Sequence, residues 1–232
     1  MTNTLLLRLK GPMQSWGVSS RFSIRDTGKE PSKSGVIGLL CAALGISRDE
    51  ANTDNPQFAG LIKLKMNVRV LREGVMQKDF HTAVGVSKAD GTIVPKENPK
   101  HPKFTVISTR WYLADADFLV GLDSDDPEFL ERLQNALKNP KWQLFLGRKA
   151  FVPSVPVYFP ESEDKTKNGL QTGENVLQDF EINSKSKEHR LIIEDENGTE
   201  VRQDVPLDFA ARRFTIRRVT TDFCTSKGGK KR

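Results

Sequence analysis

Six apolar segments along the first 160 residues constrain this chain most, because their periods and their order admit few folds. "TLLLRL", Thr4 to Leu9, is a continuous apolar run, the pattern of a buried strand. In "SGVIGLLCAALG", Val36, Ile37, Leu40 and Leu44 repeat at helical spacing, with Ser34 as the predicted N-cap and Gly45 just past the end. "KLKMNVRVLR" alternates Leu64, Met66, Val68 and Val70 with Lys63, Lys65, Asn67 and Arg69, which predicts a strand with one wet, basic face. "TVISTRWYLADADFLVGL" reads as one or two more strands. "DDPEFLERLQNALKNP" predicts a second helix, with an Asp before Pro127 and Leu130, Leu133 and Leu137 on one side. "AFVPSVPVYF" is strand-like, but its prolines confine it to a sheet edge.

Strand, helix, strand, strand, helix, strand is the split βαβ pattern, so the expected class is α+β with a ferredoxin-like, RRM-like body. That body serves many unrelated functions, and the RNP1 signature of ordinary RNA-recognition motifs is missing here. The central strands are separated by an insertion of roughly Gly74 to Lys103, with a hairpin signal at "ADGT" and lysines at 88, 96, 100 and 103. Residues 161–187 are polar and read as loop. "HRLIIED" and "EVRQDVPL" follow, joined across Asn197-Gly198 as a second predicted hairpin, and "RRFTIRRV" closes the set. The expected division is residues 1–160, including the insertion at about 74–104, and a small β-rich region, 161–232, ending in the basic tail "KGGKKR".

A formal charge of +6 suggests a polyanionic partner. Cys41 and Cys224 are far apart and His81, His101 and His189 are isolated, so neither a metal site nor a cofactor is expected. No apolar run is long enough to cross a bilayer and no secretory signal opens the chain, which predicts a cytoplasmic protein without membrane partners.

"GKEPSKSGVIGLL" resembles a phosphate loop, yet Pro31 sits inside it and no glycine precedes Lys33 at the required place, so the nucleotide-hydrolase pattern fails. A helix start remains, where free N–H groups with Lys33, Ser32 and Ser34 suit an anion, or where Ser34 simply caps a solvated end. Trp16 suits either base stacking or the core, and Arg21 and Arg25 suit either phosphate contacts or surface ion pairs. Gly147, Arg148 and Lys149 form a turn that lets backbone approach a phosphate. His81, with Tyr112 or a lysine, invites a metal-independent RNA-cleavage reading beside a purely local one.

The blocks "LLLRLKGPMQSWG", "RDTGKEPSKSGVIGLLCAALG", "DFHT", "FLGRKAFVPSVPV" and "PLDFAARRFTIRRV" together resemble the Cas-five subunits of type I-E CRISPR Cascade, in order and over nearly the whole chain. The resemblance implies a ferredoxin-like body with a thumb hairpin, here the 74–104 insertion, and a non-catalytic subunit of antiviral defence. It implies that the subunit caps the 5′ repeat-derived handle of the CRISPR RNA, meets a Cas-seven-type backbone subunit and the large subunit, and meets target DNA only indirectly. In a related subtype the Cas-five protein is itself the endoribonuclease, the alternative for which His81 and Tyr112 stand as catalytic candidates. By motif position, Gln14, Trp16, Lys33, Ser34, Arg148 and Lys149 would join the surface that holds the handle. Arg21, Arg25, His81, Arg110 and the thumb lysines Lys96, Lys100 and Lys103 complete the expected RNA contacts.

Overall fold

The computed structural model describes residues 2–17, 19–20, 23–84, 105–160, 162–182 and 188–225. Arg21, the "ADGT" turn, Lys88, Lys96, Lys100, Lys103 and the basic tail therefore lie outside the described residues.

In β1 (Asn3–Lys10), Leu5, Leu6, Leu7 and Leu9 are all fully covered, because protein lies on both of its faces. β2 (Met13–Gln14) and β3 (Ile24–Arg25) are short and lead to α1 (Lys33–Leu44) and α2 (Pro56–Lys63). β4 (Lys65–Arg72) follows, then the long pair β5 (Val75–Val84) and β6 (Thr105–Ala114). β7 (Asp117–Ser124) and α3 (Pro127–Lys138) complete the first half. Beyond a 3₁₀ turn at Lys165–Lys167 come β8 (Leu170–Thr172), α4 (Val176–Asp179), β9 (Glu188–Glu194), β10 (Glu200–Asp208) and β11 (Arg213–Thr225).

The architecture is mixed α and β, dominated by strands. One sheet runs β10-β11-β9-β4-β7-β1-β8 with every neighbouring pair antiparallel, so the strands of 161–225 continue the sheet of the first 160 residues. A second sheet has the order β2-β6-β3, with β5 also on β6. The β5–β6 ladder is unbroken from Val75↔Ala114 to Val84↔Thr105, which makes it the base of the 74–104 insertion.

Both faces of the large sheet are covered. α1, α2 and α3 bury Val36, Ile37, Leu40, Phe58, Leu130 and Leu133 against Leu5, Met66, Val68 and Phe118. On the other face Leu6, Leu71, Leu119 and Leu191 pack under Leu177 and Phe180 of the 170–182 segment. The alternation of β4 is as predicted on its apolar side, but Arg69 is not wet: it is 1% exposed and donates through Nη1 to the carbonyls of Leu177, Gln178 and Phe180. A cation at a solvent-reading position thus pins α4 onto the sheet.

Three local expectations change. α1 is capped by Ser32, not Ser34: Ser32 is extended and its Oγ accepts from the Gly35 N–H at 3.3 Å. "AFVPSVPVYF" forms no strand, because Pro153 and Pro156 lack donors. It meets β1 through Arg8 N to Val157 O, a bridge at Tyr158, and Ser154, whose N–H and hydroxyl both donate to the Lys10 carbonyl; β8 takes the edge instead. β9 and β10 are not a hairpin, since β11 lies between them. The Asn197-Gly198 turn crosses over β11, where a Cβ on residue 198 would press on the Val219 backbone.

Candidate nucleic-acid interface

β3 and β6 are parallel, with Arg25 beside Arg110 in the register. The same register sets Asp79 of β5 opposite Arg110. A third guanidinium arrives from the loop after α3. Gly147 holds φ +94, and a Cβ there would run into the Ser15 carbonyl, so only glycine lets this loop lie against residue 15. The next residue, Arg148, donates from Nη2 to the Trp111 carbonyl at 2.8 Å and stacks over the Phe151 ring at 5.3 Å.

Burial, together with the like charges of Arg110 and Arg25, lowers the Arg148 pKa from its ordinary value, and Asp79 only partly opposes this. Among the described residues, three guanidiniums are therefore met by only two carboxylates, Asp79 and the cleft-lining Asp26, a crowding that a bound anion relieves. The same cleft is lined by Arg48, which donates from Nε to the Phe209 carbonyl at 3.0 Å, and by Phe209 and Phe214. Trp16, Ser32, Ser34 and Gly35 form the floor of the resulting cleft of about 540 Å³.

The predicted RNA contacts divide sharply. Arg25, Arg110, Arg148 and Ser34 line this cleft. Lys149 is exposed on the adjoining turn. Gln14 and Lys33 are corrected to internal fasteners. Gln14 is fully buried; its Nε2 donates to the carbonyls of Leu9 and Ala116 and its Oε1 accepts from Trp16 Nε1. Trp16 is 1% exposed, so its ring plugs the core beneath the cleft and offers no face for stacking.

Lys33 is 3% exposed, with Nζ 2.8 Å from Glu194, and burial lowers its pKa despite that partner. Its N–H, the first of α1, donates to Asp204 at 2.8 Å. The anion at this helix start is thus a carboxylate of the protein, itself gripped by Arg217 Nε and Nη2.

His81 and Tyr112 are not brought together. His81 opposes Ser108 and Tyr112 opposes Gln77, four residues further along the hairpin, so at the usual strand rise they stand roughly 13 Å apart. His81 has Asp79 at 3.9 Å, and Tyr112 packs against Phe151. Among the described residues no group of three or more His, Cys, Asp or Glu side chains is placed to hold a metal, and no helix is long and apolar enough to cross a membrane. Sequence reasoning missed Arg48, Phe209 and Phe214. The only signal was "PLDFAARRF", where aromatics interleave with arginines.

Comparison with known proteins gives the following. A family model described as CRISPR-associated protein (Cas_Cas5) matches residues 4–220. The CRISPR system Cascade subunit CasD of Escherichia coli (strain K12) is 32% identical over 171 residues, covering 68% of this chain and 70% of that protein. A solved structure described as "Crystal structure of Cas protein" is 36% identical at a TM-score of 0.70, over 97% of this chain and 96% of its own. A chain of a "CRISPR RNA-guided surveillance complex" is 34% identical at a TM-score of 0.71, over 96% and 90%.

Proposed function

The chain belongs to the CRISPR-associated Cas5 family, and on that premise we propose that it is a non-catalytic RNA-binding subunit of the type I-E surveillance complex Cascade. In this role it caps the 5′ repeat-derived handle of the CRISPR RNA in the cytoplasm and joins a Cas-seven-type backbone subunit to the large subunit. The observation that carries the reading is the cleft: Arg25, Arg48, Arg110 and Arg148 converge on a groove in which, among the described residues, Asp26 is the one acidic lining residue.

The body is read as ferredoxin-like. Strand order β8-β1-β7-β4, with α1 after β1 and α3 after β7, supports that reading. The separation of His81 from Tyr112 supports a binding role over cleavage. The β5–β6 ladder is the stem of the thumb, from which Lys96, Lys100 and Lys103 would extend.

Phosphate contacts should supply most of the affinity, so binding should weaken steeply with salt. The test is guide-RNA binding by Arg110→Ala/Arg148→Ala across a salt titration. Losing two phosphate contacts should flatten the log–log salt slope by about 2 and weaken binding at low salt. An unchanged slope and affinity would remove the cleft from the RNA path.

A further inference from the structure

The cleft lining is of two kinds: the arginines Arg25, Arg48, Arg110 and Arg148, and an aromatic pair, Phe209 and Phe214, anchored in the core. Phe58 is fully buried, Phe209 meets it edge-on at 5.6 Å, and Phe214 meets Phe209 edge-on at 6.3 Å. The ladder thus runs from the core outward and ends with Phe214 in the cleft.

The turn that carries it is tied down at several points. Phe209 N donates to the Ala51 carbonyl, Arg48 holds the Phe209 carbonyl, and Asp208 accepts from Ala211 N at 2.7 Å and from Arg213 at 3.2 Å. A half-exposed ring held this firmly loses little freedom when something flat lies on it. A groove lined by both cations and an aromatic ring matches the two halves of a nucleotide.

We infer that Phe214 is the stacking platform for one unpaired base of the bound RNA, whose phosphate lies toward Arg25, Arg110 and Arg148. The inference rests on the RNA-binding reading above and adds to it a single base subsite. The stack reads the presence and flatness of the base, not its identity, because every base has a π-face.

The test pairs protein variants with modified RNA. The probes are the guide RNA and copies bearing one abasic ribose at successive positions of the 5′ segment, bound to the full chain. Phe214→Ala should weaken binding of intact RNA roughly 5- to 150-fold, and one abasic position should cost about as much. At that position the two losses should not add. Phe214→Leu, which keeps apolar bulk without a π-face, should lose nearly as much as alanine. Phe214→Trp should retain binding, and its added fluorescence should be quenched by intact RNA but not by the abasic copy.

Full affinity in Phe214→Leu, or abasic losses that add to the Phe214→Ala loss at every position, would overturn the subsite. If Arg110→Ala/Arg148→Ala still loses affinity in that case, the RNA reading stands without it. If that double variant binds normally, the reading itself has failed.

Discussion

Replacing Asp204 by alanine should be among the most destabilising single changes in this chain. Its carboxylate accepts from the α1 N–H of Lys33 at 2.8 Å, from Arg217 Nε at 2.7 Å and from Arg217 Nη2 at 3.0 Å. Asp204 and Arg217 are 3% and 8% exposed. Around them the charges balance: Lys33 and Arg217 against Glu194 and Asp204. Without Asp204, Glu194 alone faces two buried cations. Breaking a buried pair by removing one partner costs about 3–5 kcal/mol, and the orphaned helix N–H adds about 1. At ~2–4 °C per kcal/mol for a chain of this size, the midpoint should fall by about 8–24 °C.

Urea unfolding with an unchanged slope is the assay, because a slope change would point to the denatured state. Two controls sharpen it. Asp204→Leu/Arg217→Met leaves Lys33 and Glu194 as a matched pair and should recover at least half of the loss. Glu73→Ala breaks a pair just as short, Arg190 Nε to Glu73 at 2.8 Å, but Glu73 is 55% exposed and the cost should stay under about 1 kcal/mol. A loss below about 1 kcal/mol for Asp204→Ala, or a double variant as damaged as the single, would refute the charge-balance reasoning.

Other perturbations test other levels. Gly147→Ala puts a Cβ into the Ser15 carbonyl at positive φ, so it should cost more than about 1 kcal/mol in unfolding experiments and weaken guide-RNA binding by displacing Arg148. Burial and the Arg69 charge lower the His189 pKa. The unfolded chain therefore takes up that proton first, and stability should fall as pH drops below about 6.5. His189→Gln should flatten this part of the pH profile, and an identical profile would exclude His189 as its source. Incubating the protein with repeat RNA in EDTA should give no specific product. His81-dependent cleavage to a cyclic phosphate would replace the binding role with an enzymatic one.

What was legible in the sequence is what is local. The apolar period of β4, Gly45 past α1 and the Asp126 cap of α3 are decided within a turn or two, and the structure keeps them. Arg69 misled because period two says which face a residue takes, not whether a later segment covers that face. Here α4, more than a hundred residues on, does so. The cleft escaped for a related reason: Arg25, Arg110 and Arg148 are ordinary arginines until β3–β6 pairing and the Gly147 turn bring them together. The start of α1 is the sharpest case. Spacing says that free N–H groups and a lysine there call for an anion, and that is correct. The anion is Asp204, 171 residues away, paired with an arginine that no spacing rule connects to the helix. A helix start is an anion site by its own dipole. Only the tertiary fold decides whether the protein or a ligand fills it, and here Asp204 fills it from within, beside Ser34 and Gly35 on the cleft floor.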